Sequence, residues 1–148
     1  MTIELPRPPL LEGVDWRPAE PADAAAISLV LDVSFEVDGT YREVESEILE
    51  RFEGPDIDAA TDTLVAIDAV GEVLVSIWSY VPETAETLWR AFGDVHVRPD
   101  LRPTLAGFSI DCWESRSRQR LAERSDQLAK VLWFSVYAHQ AEQVALLE

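Results

Sequence analysis

The sequence predicts an α+β fold, in which a mixed and mostly antiparallel sheet is flanked by helices. Two segments in the first third of the chain place apolar residues at helical spacing, and the middle holds three runs typical of strands. A long amphipathic helix, one more apolar strand and a C-terminal helix follow. This order of strand, two helices, three strands, helix, strand and helix is typical of an α+β domain.

The N-terminal third begins with a proline-rich stretch, so we expect an irregular arm over 1–13 and a folded domain over 14–148. Val14–Arg17 is predicted as a short first strand. Helical spacing predicts one helix over Ala22–Phe35 and a second over Tyr41–Phe52. The apolar residues that carry the two patterns are Ile27, Val30, Leu31 and Phe35, then Val44, Ile48 and Phe52.

Three strands are predicted in the middle of the chain and one near its end. Thr63–Asp68 and Glu72–Tyr80 flank a three-residue connection and predict a hairpin, and Leu88–Val97 follows as a third strand. Val131–Tyr137 is apolar at nearly every position, which is typical of a strand covered on both faces. The remaining helices are predicted over 104–125 and Gln140–Glu148.

The net charge of −16 is unevenly distributed along the chain. Residues 98–130 carry seven basic and five acidic side chains, so the remainder is strongly acidic. Nucleic acid is not expected as a partner, because phosphate binding requires a basic face. The acidic surface either keeps copies of the chain apart in solution or attracts cationic substrates such as amines.

The single cysteine and the two histidines limit the chemistry further. Cys112 excludes an internal disulfide and fits a reducing cytoplasm, and its place on the apolar stripe of the long helix predicts a core position. A zinc site needs about four clustered ligands, so no metal site is expected. No run approaches the ~20 apolar residues that a membrane-spanning helix needs.

The stretch from Val95 to Gly107 resembles the signature of the GCN5-related N-acetyltransferases (GNAT). In that family a strand with a Val-x-Pro-type end precedes Arg/Gln-x-x-Gly-x-Gly/Ala at the start of a long helix, and Arg102 and Gly107 match its first and last positions. Residues 16–23 resemble the first strand and helix start of the family, and 137–148 its last strand and final helix. The resemblance therefore covers nearly the whole chain.

The resemblance implies transfer of an acetyl group from acetyl-CoA to a primary amine by direct attack in a ternary complex. Backbone N–H groups at the start of the long helix would bind the pyrophosphate. The strands ending at Val97 and Tyr137 would splay apart to admit the pantetheine arm. The residues implied to contact acetyl-CoA are Val95, Val97, Arg102, Thr104, Ala106 and Gly107.

Two side chains on the third central strand are candidate general bases. Alternation puts Val95 and Val97 on one face of this strand and Asp94 and His96 on the other. A histidine near its ordinary pKa can take a proton from an amine, and a carboxylate can do the same. The alternative is that Asp94 and His96 are hydrogen-bonded structural groups.

The long helix carries a basic run whose members are Arg116, Arg118, Arg120 and Arg124. Charges along a helix form a solvated face or i,i+4 pairs in most proteins. The alternative that the resemblance adds is contact with the 3′-phosphate of coenzyme A. The five tryptophans have apolar neighbours, so core packing is expected for them.

Three positions depart from the family pattern. Leu105 stands where the first signature glycine is expected, and we expect its side chain to crowd a pyrophosphate. Pro103 removes a backbone N–H from the loop, and Leu147 occupies the position of a tyrosine that acts as general acid in many members. These departures predict weak or absent binding of acetyl-CoA. They favour an alternative function, a catalytically inactive domain that docks a second GNAT domain or forms a homodimer.

The family fold normally continues beyond the final helix with two more strands. We therefore expect 14–148 to be a C-terminally incomplete domain whose last strands are missing. Three explanations compete. The chain is the first part of a longer tandem protein, it pairs with another copy to cover its open edge, or it is a short natural protein. The first explanation is preferred, because the eroded signature fits the non-catalytic half of a tandem arrangement.

Overall fold

A computed structural model describes residues 2–135 and 141–147 of the chain. The strands are β1 (Asp15–Arg17), β2 (Thr63–Ile67), β3 (Val73–Tyr80), β4 (Leu88–Val97) and β5 (Ala129–Trp133). The helices are α1 (Ala24–Asp38), α2 (Glu45–Glu53), α3 (Ala59–Asp62), α4 (Arg102–Ala122) and α5 (Ala141–Leu147). The predicted α+β class is confirmed.

The five strands form one open sheet in the order β1-β2-β3-β4-β5. Strands β1 to β4 pair antiparallel, each with the next, and β5 pairs parallel with β4. The predicted β2–β3 hairpin is present. Its turn is held by Asp68, whose side chain accepts the backbone N–H groups of Val70 and Glu72, and Gly71 supplies the positive φ of 87° that the turn needs.

The sheet separates two apolar layers. Helices α1 and α2 pack on one face, where Ile27, Leu31 and Ile48 meet Trp78. Helix α4 packs on the other face, and the residues of its cluster with the sheet are Ala66, Leu74, Val75, Ile77, Val97, Leu105, Cys112 and Trp113. Cys112 is 6% exposed, as its place on the apolar stripe predicted.

Helix α4 is tied to the rest of the chain by ion pairs. The side chain of Asp62, at the end of α3, is fully buried, and its Oδ1 lies 3.2 Å from both Nη2 of Arg116 and Nε of Arg120. The expectation of a wholly solvated basic face is therefore wrong for these two arginines. Arg118 forms the expected i,i+4 pair with Glu114.

Helices α1 and α2 differ from their predicted bounds. Helix α2 begins at Glu45 and not at Tyr41, because Val44 is its N-cap and is 57% exposed. Its backbone N–H is satisfied by the side chain of Glu47 at 2.9 Å. Helix α3 was not predicted, because four residues are too few to show a helical period.

Strand β5 differs more from the prediction. It runs from Ala129 to Trp133, and Val136 and Tyr137 lie outside the described residues, as does Gln140. Its residues alternate in exposure, and Trp133 is 50% exposed. Two predictions are therefore wrong for this strand. It is not covered on both faces, and its tryptophan does not pack in the core. In the part of the chain that the structure describes, β5 is an edge strand, and only its α4-facing side needs apolar residues.

Candidate functional site

Strand β5 pairs over its whole described length with the first half of β4. Their parallel register extends from Leu88 opposite Ala129 to Phe92 opposite Trp133. Beyond Phe92, β4 continues through Val97 without a partner on that side among the described residues. The predicted splay beyond this paired stretch stays a prediction. Tyr137, which the sequence placed at the end of the second splayed strand, lies outside the described residues.

Beyond Phe92, the edge of β4 that has no partner among the described residues presents backbone polar groups. The N–H of Arg98 donates to the carbonyl of Leu74 in the neighbouring β3 at 2.9 Å. Hydrogen-bonded and non-hydrogen-bonded pairs alternate along an antiparallel ladder, so Val97 and Val95 turn their N–H and C=O groups away from β3. These groups consequently lie on the edge that β5 leaves open.

A cavity of about 210 Å³ lies in this opening, and we call it the split cavity. It is bounded by the end of α1, the second half of β4, the start of α4 and the two residues that follow β5. Its lining residues are Ser34, Asp38, Thr40, Tyr41, Gly93, Asp94, Val95, His96, Arg102, Phe134 and Ser135. Both candidate bases and two of the predicted acetyl-CoA contacts, Val95 and Arg102, are therefore brought together.

A second cavity of about 430 Å³ adjoins the first on the face that carries α2, and we call it the side cavity. Its lining residues are Tyr41, Arg51, Gly54, Asp56, Ile57, Trp78, Tyr80, Phe92, Gly93, Asp94, Trp133 and Ser135. The two cavities share Tyr41, Gly93, Asp94 and Ser135, so they meet beside the middle of β4 and the end of the described β5 segment.

Asp94 is the centre of a charged cluster between the two cavities. Its Oδ2 accepts from Nη1 of Arg51 at 2.7 Å, and its Oδ1 lies 2.5 Å from Nε2 of His96. Burial by itself would raise the pKa of Asp94, but His96 and Arg51 outweigh burial and hold this pKa well below its usual range. Arg51 also pairs with the buried Glu43. Asp94 is therefore ionised and fixed in orientation.

The Asp94–His96 contact is close but is not a well-formed hydrogen bond. Nε2 of His96 lies 2.5 Å from Oδ1 of Asp94 and has no hydrogen-bond partner of acceptable geometry among the described residues. A carboxylate that holds an imidazole in one tautomer is the usual support of a histidine base. The structure therefore brings this carboxylate and this imidazole together at the border of the split cavity, and the roles predicted for them stay predictions.

A tryptophan of α4 packs against Gly93, which lines both cavities. The indole N–H of Trp113 donates to the carbonyl of Phe92 at 3.2 Å, and its ring lies 4.7 Å from that of Phe134. A Cβ at Gly93 would stand 1.7 Å from Nε1 of Trp113. Gly93 is therefore required by close packing at the point where the strands separate.

The start of α4 holds the other predicted contacts. Arg102 is 12% exposed, donates to both carboxylate oxygens of Asp38 and also contacts the carbonyl of Val97 at 3.3 Å. Thr104 is exposed, Ala106 is buried, and a Cβ at Gly107 would meet no atom within 4 Å. The surface of α4 is therefore open above Gly107.

Leu105 does not occupy the position that the sequence suggested. Its side chain is fully buried and packs in the core with Leu74, Val75 and Ile77. The expectation that it crowds a pyrophosphate is wrong, because the helical period turns this residue into the sheet and away from the surface of the first turn. Pro103 lies in the first turn of α4, where a missing N–H is tolerated.

Several side chains of the site were not predicted. Asp38, Arg51 and Glu43 carry no local motif and are brought to β4 only by the packing of α1 and α2. Ser34 is 3% exposed, lines the split cavity and has no hydrogen-bond partner for its Oγ among the described residues. A serine on the apolar stripe of a predicted helix was the one signal that could have indicated it.

The final helix contributes little to the described site. Leu147, which stands at the family's tyrosine position, is 41% exposed on α5 and is not among the lining residues of either cavity. Among residues 2–135 and 141–147, no group of three or more His, Cys, Asp or Glu side chains could hold a metal ion. No helix within these ranges is long and apolar enough to cross a membrane.

Comparisons with known proteins agree with this geometry at the level of the fold. No protein-family description and no curated protein matches the sequence. Among solved structures, a GCN5-related N-acetyltransferase of Sphaerobacter thermophilus is similar with a TM-score of 0.73 and 20% identity, over 94% of this chain and 43% of that one. A GNAT-family acetyltransferase of Streptococcus pneumoniae is similar with a TM-score of 0.64 and 17% identity, over 90% and 81% of the two chains.

A third similar structure contains the acyl donor. It is a Salmonella typhimurium protein named as an acetyltransferase and solved with its cofactor acetyl-CoA, with a TM-score of 0.62 and 15% identity over 91% of this chain and 76% of that one. The chain has the fold of the GNAT acetyltransferases, and the resemblance seen in its sequence is confirmed at that level. It spans 43% of the length of the Sphaerobacter protein.

Proposed function

We propose that the chain binds acetyl-CoA in the split cavity and transfers the acetyl group to a primary amine that occupies the side cavity. The observation that carries this proposal is the second half of β4, which pairs with β3 on one side and has no partner on the other side among the described residues. It offers backbone groups along one edge and the side chains of Asp94 and His96 on the face where the two cavities meet.

The described residues fit an amide-containing chain with a phosphate end. Backbone groups of Val95 and Val97 on the open edge suit the amides of a pantetheine arm. Arg102, Thr104, Ala106 and Gly107 would hold the pyrophosphate at the start of α4, where Gly107 leaves space for close approach. Acetyl-CoA, when bound, supplies the acetyl group as an activated thioester.

The chain's own residues then handle one proton. His96 accepts it from the ammonium group of the acceptor, which frees the nitrogen lone pair for attack. The nitrogen releases a second proton to water as the N–C bond forms and the C–S bond breaks. Asp94 keeps the imidazole in orientation and stabilises its protonated form. The thiolate that leaves takes a proton from water, because Leu147 has none to donate.

The test combines binding and turnover. Calorimetric titration with acetyl-CoA measures affinity, and release of free thiol with a panel of primary amines measures transfer. We expect His96→Gln to lower kcat at least 100-fold, since general-base catalysis contributes about 10²- to 10⁴-fold, with the affinity for acetyl-CoA unchanged. Glu114→Gln on the exposed side of α4 is the control. Wild-type turnover and an unchanged pH profile in His96→Gln would exclude the proposed base.

A second function, docking without catalysis, is favoured by the exposed strand edge. Val131 is 38% and Trp133 is 50% exposed on β5, which has no further strand beside it among the described residues. A free edge of this kind can pair with another chain. An absence of binding at millimolar acetyl-CoA by the folded chain, with a dimeric mass by light scattering, would favour this function over transfer.

A further inference from the structure

The side cavity has a wall of aromatic rings in register across three strands. Tyr80 of β3 lies opposite Phe92 of β4, and Phe92 lies opposite Trp133 of β5. The rings of Tyr80 and Phe92 are stacked, with centroids 5.0 Å apart and an interplanar angle of 15°. Residues that are direct cross-strand partners project from the same face of a sheet. The side chains of Tyr80, Phe92 and Trp133 therefore lie side by side on one face of the sheet, and we call them the aromatic row.

A fourth aromatic residue lies behind this row. Trp78 is 1% exposed, lies opposite Asp94 in the sheet, and contributes to the lining of the side cavity. Trp133 at the other end is half exposed, with the guanidinium of Arg90 over its ring at 5.2 Å. An aromatic wall that is buried at one end and open at the other suits a flat apolar ligand that enters from solvent.

The charges around the cavity favour a cationic ligand. Arg51 is the one guanidinium that lines it, and this group is already paired with Glu43 and Asp94. Asp56 also lines the cavity, and its Oδ1 accepts only the backbone N–H of Glu83 among the contacts of the described residues. Two carboxylates, Asp56 and Asp94, therefore line the cavity beside the one guanidinium, and aromatic faces also attract cations.

We propose that the side cavity selects a primary amine carried on an aromatic ring, with the ring against the aromatic row and the ammonium between Asp56 and Asp94. The inference rests on the proposed function in taking this amine as the acyl acceptor. The amine is positioned next to His96 because Asp94 borders both cavities. Amines on long, flexible polar chains would leave the aromatic row exposed to water and bind less well.

The test measures binding without acetyl-CoA, so that it does not depend on turnover. The probes are 2-phenylethylamine, 3-phenylpropionate as its anionic counterpart and n-butylamine as an amine without a ring. The indole N–H signals of the five tryptophans in a ¹H–¹⁵N NMR titration provide the readout. We expect 2-phenylethylamine to shift the Trp78 and Trp133 signals and to bind at least tenfold more tightly than either other probe.

Variants separate the two parts of the site. Asp56→Asn keeps the acceptor for the Glu83 N–H and removes the charge, and Trp133→Ala removes the exposed end of the aromatic row. Each is expected to weaken 2-phenylethylamine binding at least fivefold, whereas Asp100→Asn, exposed and outside the cavity, leaves it unchanged. Equal affinity for the three probes, or wild-type affinity in both cavity variants, would overturn the proposal.

A failure of this amine-binding site can be distinguished from a failure of the proposed acetyl transfer. Selective binding of 2-phenylethylamine without any acetyl transfer would support this site and contradict the transfer reaction. Transfer to amines with no preference for an aromatic ring would support the reaction and contradict this site.

Discussion

Arg102 and Asp38 form a two-pronged ion pair that joins the start of α4 to the end of α1. Nη1 of Arg102 lies 2.9 Å from Oδ1 of Asp38 and Nη2 lies 2.5 Å from Oδ2, and both side chains are nearly buried. Arg102 is the signature residue that the sequence assigned to the pyrophosphate. An anionic ligand at this position therefore competes with the carboxylate of Asp38.

The first prediction concerns this competition. Asp38→Asn removes the negative charge and leaves a neutral oxygen for Arg102, so we expect acetyl-CoA to bind about 3- to 10-fold more tightly, roughly 1 kcal/mol. The free energy of unfolding of the free chain is expected to fall by about 2 kcal/mol, because a charge-assisted hydrogen bond is lost. Calorimetry and urea denaturation measure the two effects.

Asp32→Asn is the matched control on the same helix. Asp32 is 3.8 Å from the exposed Arg42, and a pair of this kind contributes under about 1 kcal/mol. Weaker binding of acetyl-CoA in Asp38→Asn would mean that Asp38 holds Arg102 in a competent position and does not compete with the ligand.

The second prediction concerns pH. His96 and Arg51 hold the pKa of Asp94 below its usual range. The ionised Asp94 side chain therefore stabilises the folded state, and this contribution is present above the unfolded-state pKa of about 3.9. This effect is lost as the pH falls through the folded-state pKa. Asp94→Asn is expected to lower the free energy of unfolding by about 2 kcal/mol at pH 7, with a difference from wild type that narrows below pH ~4. Denaturant titrations between pH 3 and 7 measure it, and a difference that stays constant over this range would contradict the assignment.

The third prediction compares two glycines. Gly93→Ala would place a Cβ 1.7 Å from the indole nitrogen of Trp113, and we expect a loss of at least about 3 kcal/mol of stability. Gly107→Ala introduces a Cβ into open space within α4, so a gain of about 0.5–1 kcal/mol is expected from helix propensity. The same Gly107 variant is expected to weaken acetyl-CoA binding. A tolerated Gly93→Ala would show that Trp113 is loosely packed against β4.

The fourth prediction concerns the only thiol. Burial raises the pKa of Cys112 to about 11, an effect that the nearby Arg116 only partly offsets. The reactive thiolate is therefore scarce at pH 8, and we expect no reaction of the folded chain with a disulfide reagent over an hour. One thiol per chain should react after unfolding in guanidinium. Rapid reaction of the native chain would mean that α4 detaches readily from the sheet.

The sequence predicted much of the fold because its local patterns agree with its tertiary structure. The β2–β3 hairpin, the bounds of β4 and the apolar stripe of α4 follow from strand alternation, turn residues and helical period, which act over a few neighbouring residues. The same alternation placed Asp94 and His96 on the face opposite Val95 and Val97. The start of β5 and the N-terminus of α2 were misplaced, because a cap and an edge strand depend on what packs beside them.

The sequence alone determined the class of fold, the order of its elements and the faces of β4, since each of these depends on short-range periodicity. Only the tertiary structure decided which groups surround those faces. Asp38 and Arg51 reach Arg102 and Asp94 across 64 and 43 residues, and Leu105 turns into the core. Pairings over such distances depend on how helices pack against the sheet, and no local sequence pattern records them.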